Sequence, residues 1–140
     1  MVKYERAKLS DIDSVMEVIE DARALLKEEG NGQWQFGYPD RNDLLKDINT
    51  QRLFVIKDNG VIVAVCALTY FEEDYEHLYE GAWKSNYEYM VMHRVAVRAT
   101  HRGKGYGKAL FDVFEDVAKV NNDFAFARVN VDENEDLALG

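Results

Sequence analysis

Cysteine and long apolar runs are scarce in this chain. Its only cysteine, Cys66, cannot form an internal disulfide. Because it lies in the apolar run Val61 to Leu68, we expect a buried structural thiol rather than a nucleophile. No apolar run approaches the length of a membrane span, and the N-terminus lacks the basic, apolar and small-residue phases of a signal peptide. We therefore expect a soluble, cytoplasmic protein with no membrane partner.

Positive charge is in short supply as well. The 140 residues include 17 Lys and Arg against 26 Asp and Glu, which gives a formal net charge of -9. Nucleic-acid binding needs a broad basic face, so we expect no nucleic-acid partner. A hydrophobic content of 47% suits one domain with a real core, whereas two domains would be cramped at this length. We interpret residues 1–140 as a single domain.

Four of the scarce basic residues lie together between Arg98 and Lys108. This segment reads Arg-Ala-Thr-His-Arg-Gly-Lys-Gly-Tyr-Gly-Lys and contains no acid. The β-branched, apolar stretch Tyr89 to Val97 precedes it and predicts a buried strand, and apolar residues at helical spacing follow it from Leu110 to Val117. A glycine-rich turn between a strand and a helix presents unpaired N–H groups at the positive end of the helix dipole. The segment therefore predicts a site for a phosphate-bearing ligand.

Two well-known phosphate-binding patterns do not fit this segment. A Walker A loop needs four residues between its glycines and a hydroxyl residue after its lysine. Here three residues separate Gly103 from Gly107, and Ala109 follows Lys108. The dinucleotide pattern G-x-G-x-x-G fails as well, because the place of its last glycine is taken by Lys108 or Leu110.

The pattern that fits is Arg-x-x-Gly-x-Gly, formed by Arg102, Gly105 and Gly107. It resembles the acyl-CoA-binding motif of the GCN5-related N-acetyltransferase (GNAT) superfamily. The order of predicted elements, β-α-α-β-β-β-α-β, resembles the fold of that family over nearly the whole chain. The resemblance implies an α/β fold with a mixed central sheet flanked by helices, the acyl-CoA N-acyltransferase fold. The predicted strands are 3–8, 53–57, 61–70, 87–98 and 125–131, and the predicted helices are 10–30 with Ser10 as N-cap, 40–49 and 107–120, with a hairpin turn at Asp58-Asn59-Gly60.

The sequence departs from the family at its C-terminal end. In the family a helix and two more strands follow the strand represented here by Ala125 to Val131, whereas this sequence stops at Gly140. We expect a C-terminally truncated chain, a reduced family member, or a sheet that a partner completes. Because an open apolar edge strand invites association, a homodimer is a possible assembly.

The resemblance also implies which residues bind the cosubstrate, acetyl-CoA, with no metal. In the family, a bulged strand before the glycine loop directs backbone groups at the pantetheine arm and the thioester carbonyl, which gains negative charge as an amine attacks. Carried over, Val95, Ala96 and Val97 line the pantetheine, and Asn134 either touches the CoA arm or caps a helix. The resemblance implies that the pyrophosphate is held by Arg102, Gly103, Lys104, Gly105, Tyr106, Gly107 and Lys108.

A few residues are candidates for proton transfer. An amine must lose a proton before or during attack, and His93 is the first candidate base because an imidazole has an unperturbed pKa of about 6.5. Unbroken alternation would place it on the same face as Val95 and Val97. A structural histidine is the alternative, and Glu88 or a water relay are other candidate bases. No tyrosine occurs after Tyr106, so the tyrosine acid that relatives carry on a later helix is not found.

Substrate choice is expected to lie outside the glycine loop. Trp34 either contacts the acceptor or caps the core. The stretch from Phe71 to Ser85 holds five acids against one base, which favours a cationic amine or marks a solvated face. The sequence thus predicts an acetyl-CoA-dependent N-acetyltransferase that acts by direct transfer on a primary amine of a small molecule. The alternative is an inactive or regulatory acyl-CoA-binding module of the same fold.

Overall fold

The computed structural model describes residues 3–30, 34, 37–72 and 88–120. The strands are β1 (Glu5–Arg6), β2 (Leu53–Asp58), β3 (Val61–Glu72) and β4 (Glu88–Val97), and the helices are α1 (Ile12–Glu28), α2 (Arg41–Asn49) and α3 (Tyr106–Val120). Short 3₁₀ turns at Leu9–Asp11 and Ala99–His101 precede α1 and follow β4. The predicted strand Ala125 to Val131 lies outside the described residues.

The four described strands form one sheet in the order β1-β2-β3-β4, and each neighbouring pair is antiparallel. The β2–β3 connection is the predicted hairpin, in which Asn59 (φ 53°) and Gly60 (φ 81°) both adopt left-handed backbone. Asn and Gly accept that region more readily than other residues, which confirms the hairpin prediction. The strand that would make the sheet mixed lies beyond the described part.

Helices cover both faces of this sheet. One core cluster joins α1 and α2 to side chains such as Val65 and Ala67. A second joins α3 to the opposite face, and it includes Cys66 and Val97. Both faces of the central strands are therefore buried, as their nearly continuous apolar sequence predicts. The fold class is confirmed as α/β with an antiparallel sheet between helices.

The starts of α1 and α2 are held in different ways. Asp40 caps α2, because its carboxylate accepts from the Asp43 N–H (2.9 Å) and that of Asp43 accepts from the Asp40 N–H (2.8 Å). The predicted N-cap of α1 was wrong, since Ser10 lies inside the 3₁₀ turn and the helix begins at Ile12. The carboxylate of Asp11 instead accepts from the N–H of Lys8 (2.8 Å) and closes that turn.

Candidate active site

A bulge interrupts the pairing of β4 with β3. The register shifts between Ala67, which pairs with His93, and Val65, which pairs with Ala96. One residue of β3 therefore faces two of β4, and the first of these two, Arg94, has a φ of 53°. Left-handed backbone is uncommon for a residue with a β-carbon. The extra residue of a bulge stands outside the regular ladder and re-aims the groups next to it.

This bulge also decides which face of the sheet carries His93. The residue pairs with Ala67, which belongs to the core cluster under α1 and α2. Val95 and Val97 belong to the cluster under α3. The expectation that all three share a face was wrong, because one extra residue inverts the alternation of the strand. The side of the sheet that carries His93 is therefore the side of α1 and α2.

The loop between β4 and α3 is open on its outer side. Gly103 and Gly105 have φ values of 76° and 90°, and a β-carbon built at either one would meet no atom of the described residues within 4 Å. The helix ladder starts with the bond from Ala109 N–H to the Gly105 carbonyl (3.0 Å). The N–H groups of the helix residues before Ala109, from Tyr106 to Lys108, have no helical partner and lie at the positive end of the helix dipole. Together these groups can hold an anion.

The same loop is fastened to α1 on its inner side. The carboxylate of Asp21 accepts from the Ala99 N–H, and the Asp21 backbone carbonyl accepts from Nη2 of Arg102, both at 2.8 Å. Arg98 forms an ion pair with Glu17 at 3.0 Å. At least one donor of the Arg102 guanidinium is thus committed to α1. These contacts fix the backbone of the loop before any ligand arrives.

Exposed positive charge lies at the rim of the loop. Lys104 is exposed, and the side chain of Lys108 is 82% exposed and 3.5 Å from Asp112. Tyr106 is half-buried and packs edge-to-face on His101, with ring centroids 5.7 Å apart. The two lysines can therefore meet phosphate oxygens, while the tyrosine supports the loop from within.

A connected polar cluster lies on the α1 and α2 side of the bulge. Nε of Arg94 is 3.0 Å from Oδ2 of Asp47, as an ion pair without hydrogen-bond geometry. Nη1 of Arg94 is 3.2 Å from Nδ1 of His93, whose Nε2 is 2.6 Å from Oγ1 of Thr69. The Tyr38 ring lies under the guanidinium, 5.6 Å from its carbon. Burial raises the pKa of the Asp47 carboxyl above its usual range, and the charge of Arg94 opposes this in part.

Trp34 lies in the core cluster under α1 and α2 and is only 4% exposed. Its backbone carbonyl accepts from Nε of Arg23 (2.7 Å), while Nη2 of Arg23 donates to the Pro39 carbonyl (2.6 Å). The indole N–H is buried and has no hydrogen-bond partner among the described residues. This packing fits the core-cap alternative, and contact with an acceptor stays a prediction.

Several predicted site residues lie at or beyond the limits of the described part. Glu88 begins β4, but its side chain lies outside the described residues, as do Asn134 and the acids from Glu73 to Glu80. Among residues 3–30, 34, 37–72 and 88–120, no group of His, Cys, Asp and Glu is arranged to hold a metal ion. In the same part of the chain, no helix is both long enough and apolar enough to cross a bilayer.

Sequence reasoning missed Thr69, Arg94 and Asp47 as members of the site. Thr69 reads as an ordinary strand residue, and Asp47 as a polar position on a short helix. Arg94 meets Asp47 at the bulge, and the residue types of β4 do not predict where that bulge lies. A charged residue directly beside the candidate base was the one available signal.

The chain matches a protein-family model and several solved structures. The model of the acetyltransferase (GNAT) family matches residues 19–138. A crystal structure of a GNAT-family acetyltransferase from Streptococcus agalactiae is 32% identical, with a TM-score of 0.68 over 82% of this chain and 69% of that one. No curated protein matches the chain.

Two more distant structures share the fold. One is an aminoglycoside acetyltransferase from an uncultured soil metagenomic sample, solved with sisomicin, at 21% identity and a TM-score of 0.63 over 99% of this chain and 82% of that one. The other is a predicted acetyltransferase from Clostridium acetobutylicum, solved with acetyl-CoA, at 17% identity and a TM-score of 0.62 over 93% and 80%. At these identities the likeness concerns the fold alone.

Proposed function

Since this chain belongs to the GNAT acetyltransferase family, we propose that it moves an acetyl group from acetyl-CoA to a primary amine of a small molecule. The observation that carries this proposal is the open glycine loop at the start of α3, directly after the bulge of β4. The loop offers amides to a pyrophosphate, and the bulge lies where a thioester could extend along the strand. These two features support the proposed binding of both parts of an acyl-CoA.

The proposed acetyl-CoA contacts rest on the same two features. We assign the pyrophosphate to the backbone amides of residues 103–108, because Gly103 and Gly105 leave space that a β-carbon would fill. Lys104 and Lys108 add positive charge at the rim. The pantetheine arm is assigned to the backbone of residues 95–97, whose side chains are buried in the two cores. Asn134 stays a proposed contact to the CoA arm.

The chemical step is direct attack of the neutral amine on the thioester carbon. The carbonyl oxygen gains negative charge as the N–C bond forms, and the C–S bond then breaks to release the thiolate of CoA. Backbone N–H groups aimed at that oxygen stabilise the charge. We propose His93 or Glu88, or a water molecule between them and the amine, for removal of the amine proton. His93 would accept a proton at Nδ1 only by losing its contact with Arg94.

The acceptor is proposed to be a small cationic amine. The aminoglycoside acetyltransferase with the same fold acts on compounds of that class, and the acidic stretch after Phe71 would attract a cation. Trp34 is proposed to shape the acceptor side from within the core rather than to present its ring, since it is buried.

A thiol-release assay tests the proposal. The full chain is mixed with acetyl-CoA and a panel of primary amines, including polyamines and aminoglycosides, and free CoA is measured over time. Amine-dependent release together with an acetylated amine of the expected mass supports the proposal. Tight binding of acetyl-CoA without release in the presence of any amine would contradict it and favour a regulatory acyl-CoA-binding module.

A further inference from the structure

The hydrogen bonds of the polar cluster have a fixed direction. A guanidinium group can only donate, so Nδ1 of His93 accepts from Nη1 of Arg94 across their 3.2 Å contact. A neutral imidazole carries its proton on one nitrogen only. The proton of His93 is thus assigned to Nε2, which donates to Oγ1 of Thr69 at 2.6 Å.

The position of Arg94 is fixed from three sides. Asp47 of α2 lies 3.0 Å from its Nε, and the two side chains are only 12% and 11% exposed. The Tyr38 ring stacks under the guanidinium, and the backbone holds the left-handed conformation of the bulge. A non-glycine residue keeps such a conformation only where its surroundings determine it. The direction of the hydrogen bond to His93 is therefore built into the fold.

Thr69 stands at the end of this chain of contacts. Its oxygen accepts from His93, so its own hydroxyl hydrogen must point elsewhere. Both residues are half-buried, on the face of the sheet that carries α1 and α2. Among the described side chains of β3, Ala67 is the last on that face that belongs to the core cluster, so Thr69 lies at the border of the apolar core.

We propose that Asp47 and Arg94 are positioning residues that hold His93 as a hydrogen-bond donor to Thr69, so that the Thr69 hydroxyl donates to the reacting groups in the transition state. The inference rests on the proposed acetyl transfer and gives that site a further contact residue. The hydroxyl hydrogen meets an acceptor atom of the reacting groups, either the thioester oxygen or the departing sulfur. Under this assignment His93 orients a donor, and the amine proton leaves by Glu88 or water.

Nuclear magnetic resonance of the imidazole nitrogens tests the first half without any turnover. His93 is assigned in the full chain by comparison with His93→Gln, and its tautomer is read at pH 7. We expect the proton on Nε2 in the natural chain. Two double variants, Asp47→Asn/Arg94→Gln and Asp47→Asn/Arg94→Met, leave no buried unpaired charge, and only the Gln form keeps an N–H donor for Nδ1. We expect the Gln form to keep the tautomer and the Met form to lose it.

Kinetics of two Thr69 variants test the second half. Thr69→Val keeps the shape and removes the hydroxyl, whereas Thr69→Ser restores it. We expect Thr69→Val to lower kcat about tenfold to a hundredfold with the Kd of acetyl-CoA unchanged, and Thr69→Ser to recover most of that loss. A purely structural hydroxyl would change stability without this split.

Three results would overturn the inference: a proton on Nδ1 of His93 in the natural chain, the same tautomer in the Met and Gln forms, or a Thr69→Val enzyme as fast as the natural one. Failure of the proposed function gives a result that differs from these three, because the natural chain would then release no CoA with any amine. The tautomer measurement would still decide the assignment of His93.

Discussion

Cys66 shows at the scale of a single residue how burial changes reactivity. Its side chain is fully enclosed, and burial raises the pKa of the thiol to about 12. Because the thiolate is the reactive form, we predict that an aromatic disulfide reagent labels the native protein at pH 8 only as fast as the protein unfolds. Labelling in denaturant is expected to be immediate. Fast labelling of the native chain would contradict the buried position.

Tyr4 makes a prediction about alkaline stability. Burial raises the pKa of its hydroxyl to about 12, helped by the hydrogen bond that it donates to Asp116. A raised pKa in the folded state stabilises the protein fully below the unfolded value of about 10. That contribution is lost as the pH rises from about 10 towards about 12. The free energy of unfolding, measured with urea, is expected to fall more steeply across this pH range for the natural chain than for Tyr4→Phe.

His93 can be tested by two substitutions that differ in one property. Neither Gln nor Ala can take up a proton, but Gln offers an N–H donor to Thr69. If His93 is a donor, His93→Gln keeps more activity than His93→Ala, by about tenfold. Equal loss of activity in both variants, with loss of the acidic limb of the pH–rate profile, would make His93 the base instead.

Residue types predicted some of these roles and not others. The buried thiol followed from the apolar run around Cys66, because composition alone sets that environment. The partners of His93 did not follow, since they depend on Arg94 being turned towards α2 by a bulge. Trp34 is buried although its sequence neighbourhood is rich in glycine, and Arg23 of α1 donates to the backbone carbonyls of Trp34 and Pro39.

At the scale of secondary structure, helix capping gives a direct comparison. Asp40 and Asp43 cap α2 reciprocally, so Asp40→Ala is predicted to lower the free energy of unfolding by about 1 kcal/mol. Ser10→Ala serves as the control, because Ser10 is exposed and does not cap α1. Its effect is expected to stay within about 0.5 kcal/mol. A larger loss for Ser10→Ala than for Asp40→Ala in urea unfolding would contradict the observed helix starts.

The elements themselves were largely predictable from local pattern. The two-residue turn at Asn59 and Gly60 and the capping residue Asp40 mark their elements by chemistry that acts over a few positions. The bulge in β4 has no such mark. The contact that accompanies it, between Arg94 and Asp47, joins residues far apart in the sequence.

At the scale of the whole molecule, one helical layer, formed by α1 and α2, holds both halves of the proposed site. α1 anchors the inner side of the glycine loop through Asp21, and α2 anchors the bulge through Asp47. The loop and the bulge are thus positioned by the same layer of the fold. The sequence pattern predicted the loop, because a short motif carries it, whereas the link through α2 joins residues 47 positions apart.

Titration of acetyl-CoA into three forms of the full chain tests the central claim most directly. Gly105 (φ 90°) and Gly30 (φ 81°) have similar backbone and equally open surroundings, so Gly105→Val and Gly30→Val introduce similar backbone strain. We predict that Gly105→Val raises the calorimetric Kd of acetyl-CoA at least tenfold, because its side chain fills the proposed pyrophosphate space, and that Gly30→Val binds like the natural chain. Equal affinity in a folded Gly105→Val protein would contradict the assignment of the glycine loop.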